Sequence, residues 1–333
     1  MLLAAVVLLG WHDIVGVWNL LGNINLWILV ALIPVQIFSY YAAGNIIFLY
    51  LRAKGDLHGI SHWSTARMSL ELNFVNHIIP SGGAAGFSYL GWVLSRHGIS
   101  AGRATMAQIV RYALTFIAFL SMMALSVLIL VLDHSINRTV IFVSILLVSI
   151  AIVGATLFIY IIGNKQRLIK FSDWFSKATD RLARVVTRGK ITKVFKEEVI
   201  RKFFNDFHQD YIEIKSDKNI LTKPFMWGIL LNIADAILLV VAFMALGVWV
   251  SPIVLFIAFG TSSIAGIISV LPAGAGVYEA VMIGFLVSAG VPADVAIAGT
   301  LLARVTLVMG TILFGYLFYQ LTIIKYGKRT TNS

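Results

Sequence analysis

Long apolar segments with very few charges limit this 333-residue chain to one broad class of fold. Five apolar segments are each at least as long as the about 20 residues that a helix needs to cross a bilayer. These segments are 26–51, 104–132, 139–162, 224–250 and 294–324. Only 12% of the residues are charged, against about 25% in soluble proteins. The chain is therefore not a soluble enzyme or a disordered protein, and we predict an all-α polytopic membrane protein with about seven to eight transmembrane helices.

Basic residues concentrate in one polar loop. Residues 163–223 hold 15 of the 26 Lys and Arg residues and 8 of the 15 Asp and Glu residues. Because cytoplasmic loops of membrane proteins collect Lys and Arg, we predict that this loop and the tail 326–333 are cytoplasmic. We interpret the net charge of +11 as a charge that orients the chain in the membrane and attracts anionic lipid headgroups. Nucleic acid is not an expected partner.

The same loop contains two sets of apolar residues with helical spacing. The first set is Leu168, Phe171, Phe175, Ala178, Leu182 and Val185, and the second is Val199, Phe203, Phe207 and Tyr211. Cations lie between the members of the first set, which predicts amphipathic helices that lie on the inner leaflet. The alternative is a cytosolic helical hairpin packed on itself.

Two further apolar segments, 66–95 and 253–290, are each interrupted by a proline and a glycine cluster. The interrupting residues are Pro80, Gly82 and Gly83 in the first segment and Pro272, Gly274 and Gly276 in the second. Proline removes a backbone donor and glycine weakens a helix. The freed backbone groups cannot face lipid, so both breaks should lie inside the protein. We therefore predict two re-entrant helical hairpins.

The two interruptions occur at matching places in two repeats. When Pro80 is aligned with Pro272, Gly98 and Gly290 fall in register, and the arginines at 111 and 304 follow 31 and 32 residues after their prolines. The loop at 96–103 is basic and the loop at 290–294 has no cation, which predicts opposite orientations in the membrane. Inverted repeats with broken helices are typical of secondary transporters with a site near the midplane. The alternative is that the glycines only permit close helix packing.

This repeat predicts a division of the chain into four parts. They are a first membrane repeat at 1–162, the basic loop at 163–223, a second membrane repeat at 224–325 and the tail at 326–333.

Five ionisable residues lie within apolar segments, where a charge costs about 2.5–3.5 kcal/mol at a helix centre. They are Glu71, Arg111, Asp235, Glu279 and Arg304. Each should face the protein interior and find a partner. Our hypothesis is that helix starts near the two glycine clusters receive an anionic lipid headgroup, with both arginines as cationic contacts.

The two glutamates have a predicted role in this arrangement. We expect Glu71 and Glu279 to pair with Arg111 and Arg304, or else to bind a cationic headgroup or a proton. The alternative is that both pairs are purely structural ion pairs. Asn73 and Asn76 lie near the same helical face as Glu71 and are secondary candidates for lining a cavity.

No catalytic, metal or cofactor motif is recognisable in the sequence. The chain has no cysteine, no HExxH motif and no nucleotide-binding loop in a strand-to-helix setting. We expect no catalytic residue, no metal and no cofactor, and a membrane enzyme that modifies lipid headgroups is the weakest of the candidate functions.

Three stretches resemble a known family. They are the residues from Asn73 to Gly83 (NFVNHIIPSGG), those from Leu271 to Glu279 (LPAGAGVYE) and Leu301–Arg304 (LLAR). Over about residues 26–322 the chain resembles the lysylphosphatidylglycerol synthase transmembrane, flippase-like family, which includes the membrane part of the bacterial multiple peptide resistance factor. The positions that carry over are Pro80, Gly82, Gly83, Pro272, Gly274, Gly276, Glu279 and Arg304.

The resemblance implies a multi-pass protein of a bacterial or archaeal plasma membrane, with two re-entrant elements, that moves lipids between leaflets. The synthase domain of the fused members has no counterpart before Ser333, so synthase activity is not implied. Members usually begin with a full spanning helix, whereas about eight apolar residues precede His12 here, so we expect a truncated or a short, tilted first helix.

The sequence therefore predicts a lipid flippase-like transporter whose substrate is an anionic phospholipid or a lipid-linked headgroup. The alternative is a non-transporting accessory subunit that anchors a lipid-modifying or envelope-modifying enzyme. A homo-oligomer or a partner enzyme is left open.

Overall fold

The computed structural model describes residues 11–57, 59–78, 84–132, 138–186, 212, 219–268 and 276–327. Within these ranges the chain forms twelve α-helices and no β-strand. The helices are α1 Trp11–Gly22, α2 Leu26–Val30, α3 Leu32–Ala53, α4 His62–Ile78, α5 Ala84–Ser95, α6 Ala101–Leu132, α7 Arg138–Ile162, α8 Lys165–Val186, α9 Asn219–Ala245, α10 Pro252–Ile268, α11 Val277–Ser288 and α12 Ala293–Gly327.

The apolar helices confirm an all-α polytopic membrane protein. Of the described helical segments, four are long and apolar enough to cross a bilayer, namely Leu26–Ala53, Gly102–Leu132, Asn219–Ala245 and Ala293–Tyr326. Shorter apolar helices are Ser144–Leu157, Pro252–Gly266 and Val277–Ser288. Four of the five predicted spans coincide with the long helices, and the fifth, 139–162, coincides with α7.

Large apolar side chains remain exposed along one stripe of α12. The stripe consists of Leu301, Val305, Val308, Met309, Ile312, Leu313, Tyr316, Leu317, Leu321 and Ile324. Water-soluble proteins rarely expose an apolar patch of this extent, whereas lipid tails solvate it without cost. The stripe is therefore the lipid-facing side of this helix.

The chain separates into two compact units. One comprises Met1–Val148 and Lys223–Ser333, and the other comprises Ser149–Thr222. In the smaller unit, α8 carries the first predicted amphipathic set, and the Asn164 side chain caps it by accepting hydrogen bonds from the backbone N–H groups of Gln166 and Arg167. The second predicted set, at 199–211, lies outside the described residues. The membrane-surface location of α8 stays a prediction.

Two helix boundaries in the larger unit recur at an interval of 192 residues. Helices α3 and α9 end at Ala53 and Ala245, helices α6 and α12 begin at Ala101 and Ala293, and the hairpin helices α5 and α11 each have 12 residues. The larger unit is thus built from two four-helix repeats, α3–α6 and α9–α12. Helices α3–α6 lie within the predicted first repeat, 1–162, and helices α9–α12 lie largely within the second, 224–325.

The turns between these helices repeat as well. After α3, α9, α5 and α11 comes a glycine with a positive φ, at Gly55 (81°), Gly247 (77°), Gly98 (79°) and Gly290 (91°). The next backbone N–H then bonds to the carbonyl five residues earlier, in the pairs Asp56–Leu51, Val248–Phe243, Ile99–Leu94 and Val291–Leu286. This is the Schellman ending, in which glycine adopts the left-handed backbone at the lowest cost.

The equivalent helices α3 and α9 run in opposite directions. Three contacts link α3 and the residues before it to α9. In order along the chain, Asn25 contacts Ala245, Ser39 contacts Asp235 and Tyr41 contacts Trp227. The partner number falls as the α3 number rises, so the two helices are antiparallel. Antiparallel packing of equivalent helices is the relation expected of inverted repeats.

Each repeat contains one pair of short helices packed on each other, α4 with α5 and α10 with α11. These pairs coincide with the segments that we predict to be re-entrant. The connections hold Pro80, Gly82, Gly83, Pro272 and Gly274, which lie outside the described residues. Re-entry of the two pairs into the membrane therefore stays a prediction.

Candidate functional site

A cavity of about 760 Å³ lies inside the larger unit. Its wall includes side chains from α3, α4, α6 and α9–α12, so both repeats contribute to it. The volume is within the about 300–1,000 Å³ that is typical of ligand pockets. Three of the five ionisable residues singled out in the sequence line it, namely Arg111, Asp235 and Arg304.

Arg304, on α12, pairs with Glu279 at the start of α11. Its Nε lies 3.1 Å from Glu279 Oε1, as the sequence predicted. Glu279 Oε2 accepts a hydrogen bond from the backbone N–H of Gly276 at 2.6 Å, which satisfies one of the free donors at the start of α11. The Arg304 guanidinium also lies 4.9 Å from the centre of the Tyr278 ring. Arg304 is thus held by a carboxylate and an aromatic ring at the cavity wall.

Arg111, on α6, has no comparable partner. Its Nη1 is buried and makes no hydrogen bond, and the guanidinium lies 5.4 Å from the centre of the Tyr112 ring. Asp235 on α9 lines the same cavity. Because buried donors in folded proteins are nearly always satisfied, Nη1 indicates a place for a ligand or water.

Two threonines of the cavity wall also have a buried polar atom without a hydrogen-bond partner. Thr115 lies one turn after Arg111 on α6, and Thr300 lies one turn before Arg304 on α12. The Oγ1 atom of each is buried without a hydrogen-bond partner. The cavity therefore offers a cation and two hydroxyl groups that the protein itself leaves unused.

Asp235 is the carboxylate of the cavity. It lies on α9, and its Oδ1 accepts a hydrogen bond of 2.7 Å from the Ser39 hydroxyl of α3. The sequence identified Asp235 as a costly intramembrane charge without naming a partner. Ser39 and Arg111 are the groups that compensate its charge.

The predicted pairing of Glu71 with Arg111 is wrong. Glu71 is fully buried, and its carboxylate contacts Arg67 at 3.1 Å, the Thr322 hydroxyl at 2.7 Å and the Tyr89 hydroxyl. Arg67 precedes Glu71 by four residues, so the two side chains share one face of α4. Because that face packs against α5 and α12, Glu71 does not line the cavity and instead ties three helices together.

The two asparagines of α4 have different surroundings. Asn73 lines the cavity, and its Nδ2 donates to the Ser69 carbonyl at 2.9 Å. Asn76 does not line it and packs instead against Gly86 of α5, where a Cβ atom would lie 2.0 Å from Asn76 Oδ1. Gly86 is therefore needed for the close approach of α4 and α5.

Sequence reasoning missed the polar face of α3. Gln36, Ser39 and Tyr40 all line the cavity, and Gln36 Nε2 donates to the Tyr40 hydroxyl and to the Leu307 carbonyl at 2.7 Å each. The signal was available, because polar residues at i, i+3 and i+4 share one helix face and would not be expected to face lipid. Among the described residues, no three His, Asp or Glu side chains come close enough to hold a metal ion.

Comparison with known proteins gives two kinds of match. The family model described as the lysylphosphatidylglycerol synthase TM region matches residues 1–315. Two UPF0104 membrane proteins of Methanothermobacter thermautotrophicus are 26% identical over 226 residues and 22% identical over 231 residues. These alignments cover 65% and 69% of the present chain, and they span 60% and 67% of the lengths of the two relatives.

Proposed function

This chain belongs to the lysylphosphatidylglycerol synthase TM region family, and we propose that it is a flippase-like transporter that moves an anionic phospholipid or a lipid-linked headgroup between leaflets. The observation that supports the proposal is the cavity between the two repeats, in which Arg111 Nη1 has no protein partner.

A phosphate group is the ligand that best fits the unused polar atoms. Guanidinium groups bind phosphate oxygens through charge-assisted hydrogen bonds, which are about twice as strong as neutral ones. Arg111 supplies such a group, and the hydroxyls of Thr115 and Thr300 supply neutral donors. The same wall contains Leu231, Leu238 and Leu239, which suit the apolar part of a lipid next to its headgroup.

The repeat supports a transport cycle rather than a fixed binding site. In transporters with inverted repeats, one half rocks against the other around a site near the midplane, so that each side of the membrane gains access in turn. The cavity draws its wall from both repeats, and the equivalent helices α3 and α9 are antiparallel. The proposed cycle moves the lipid without forming or breaking covalent bonds.

Reconstitution of the purified chain into liposomes tests this function. The vesicles contain phosphatidylglycerol with a trace of its fluorescent nitrobenzoxadiazole derivative, and dithionite added outside bleaches only the outer leaflet. We expect the bleached fraction to rise from about half towards all of the fluorescence in vesicles that contain the protein. Lipid mass spectra should stay unchanged, since no chemical modification is proposed.

Two outcomes would contradict the function. A bleached fraction equal to that of protein-free vesicles would exclude transport by this chain alone, and recovery with an added partner enzyme would favour the accessory role. A change in lipid mass would instead indicate an enzyme. An identical preparation with neutral labelled phosphatidylcholine measures how far transport depends on the anionic headgroup.

We further propose that the protein lies in the plasma membrane, with loop 163–223 and the C-terminal tail in the cytoplasm and the two hairpins entering from opposite sides. The chain has no cysteine, so single cysteines report on sidedness without background. Ser95 and Ser288 are exposed and end the equivalent helices α5 and α11.

We expect Ser95→Cys to react with a membrane-impermeant maleimide only after permeabilisation of cells, and Ser288→Cys to react in intact cells. Both variants keep the helix ends, because each hydroxyl bonds only to a carbonyl of its own helix. Labelling of both cysteines from the same side would refute the inverted arrangement.

A further inference from the structure

We propose that transport through the cavity is coupled to a proton, which Asp235 takes up when an anionic headgroup binds beside Arg111. This inference rests on the proposed function, since it concerns the same cavity. It adds the driving force, because lipid and proton then cross together.

The basis is that Arg111 and Asp235 carry opposite charges on the wall of one cavity. Among the described residues of that wall, Asp235 is the only carboxylate, so it is the counter-charge of Arg111, whereas Arg304 already pairs with Glu279. An anion that binds at Arg111 replaces Asp235 in this role. The Asp235 carboxylate would then face a second negative charge in a medium of low dielectric constant, which strongly favours its protonated form.

The other groups around Asp235 cannot take over the compensation. Those that face it or line the same space are Ser39 and Tyr40 from α3, Asn73 from α4, Ser263 from α10, Tyr278 from α11 and Arg304 from α12. Arg304 is the one cation among them, and Glu279 already pairs with it at 3.1 Å. The remaining groups are neutral, so a proton is the available compensation.

Ser39 allows this change without losing its hydrogen bond. Its hydroxyl donates to the Asp235 carboxylate at 2.7 Å and is buried. A hydroxyl can also accept a hydrogen bond, so Ser39 and Asp235 can stay hydrogen-bonded when Asp235 is a carboxylic acid that donates to the Ser39 hydroxyl. Ser39 thus holds Asp235 in place in both protonation states.

The proposed stoichiometry is one proton for each anionic charge. A phosphodiester headgroup carries one negative charge, and the proton on Asp235 cancels it, so the loaded cavity gains no net charge. On release, the headgroup leaves Arg111, the proton leaves Asp235 to the same side, and the pair of counter-charges forms again. A proton gradient would therefore move the lipid in the direction of the protons.

Calorimetry on the full chain in detergent tests the coupling without any variant. The probe is glycerophosphoglycerol, a soluble phosphodiester whose single charge does not change between pH 5 and 8. Titration in two buffers of different ionisation enthalpy reports the protons taken up per molecule bound. We expect about one proton, and an affinity that weakens about tenfold for each unit of pH above neutrality.

The Asp235→Asn variant should bind the probe with no proton uptake and with an affinity independent of pH. Asp56→Asn, which alters a half-buried loop carboxylate that pairs with Arg103 and does not line the cavity, should behave like the unmodified chain. Binding without proton uptake by the unmodified chain would refute the coupling and leave the proposed function intact. Absence of binding would instead count against the anion site and overturn both.

Discussion

Replacing Arg111 with glutamine should lower the rate of anionic lipid transport at least about 30-fold. Removing one member of a buried, hydrogen-bonded charge pair costs about 2–5 kcal/mol, and 1.4 kcal/mol corresponds to a factor of ten. Arg111 Nη1 is buried and has no hydrogen-bond partner in the protein, so a bound headgroup would supply its missing acceptor. The dithionite assay with labelled phosphatidylglycerol measures this loss.

Two further variants separate ligand binding from folding. Arg111→Lys keeps the charge and loses the planar fork of donors, so we expect an intermediate rate. Arg96→Gln removes an exposed arginine that lies over the Trp92 ring and does not line the cavity, and it should transport normally. Normal transport by Arg111→Gln would show that the headgroup does not bind there.

Replacing Glu71 with alanine should lower the free energy of unfolding by about 3 kcal/mol. Loss of one partner from a buried ion pair costs about 3–5 kcal/mol, because the other charge remains buried and uncompensated. We expect the lower end, since 25% of the Arg67 side chain is exposed. Titration of the full chain with SDS in mixed micelles, followed by circular dichroism, measures the change.

The double variant Arg67→Ala/Glu71→Ala provides the matched control. It removes both charges, so it should recover part of the stability that the single Glu71→Ala variant loses. Glu71→Gln keeps the shape and one acceptor oxygen and should lose less than Glu71→Ala. If the single and double variants lose the same amount, the loss in Glu71→Ala does not come from leaving the Arg67 charge uncompensated.

The fold was predictable because the lipid phase restricts the chain more than water does. Apolar length located four spans, and proline with glycine located the two pairs of short helices, α4–α5 and α10–α11. The spans that form α3 and α9 were predicted, but their equivalence was not, since the two helices share helix ends and turns but few identical residues. The recurrence appears only when the positive φ angles of Gly55 and Gly247 are compared.

The candidate site was only partly predictable. A charge in an apolar segment is costly wherever it lies, so Arg111, Asp235 and Arg304 were visible in the sequence. The sequence does not say which helices are neighbours, and this is why Glu71 was assigned to Arg111 across helices. The closer partner, Arg67, lay four residues away on the same helix and was overlooked.

The two repeats place their arginines one position out of register. The residue 192 positions after Arg111 is Ala303, and Arg304 follows it with Glu279 already bound. The two halves of the cavity are therefore chemically unequal, although their backbones repeat. Such inequality can make loading of lipid faster from one leaflet than from the other. The final distribution of lipid still depends on the external driving force alone, because of microscopic reversibility.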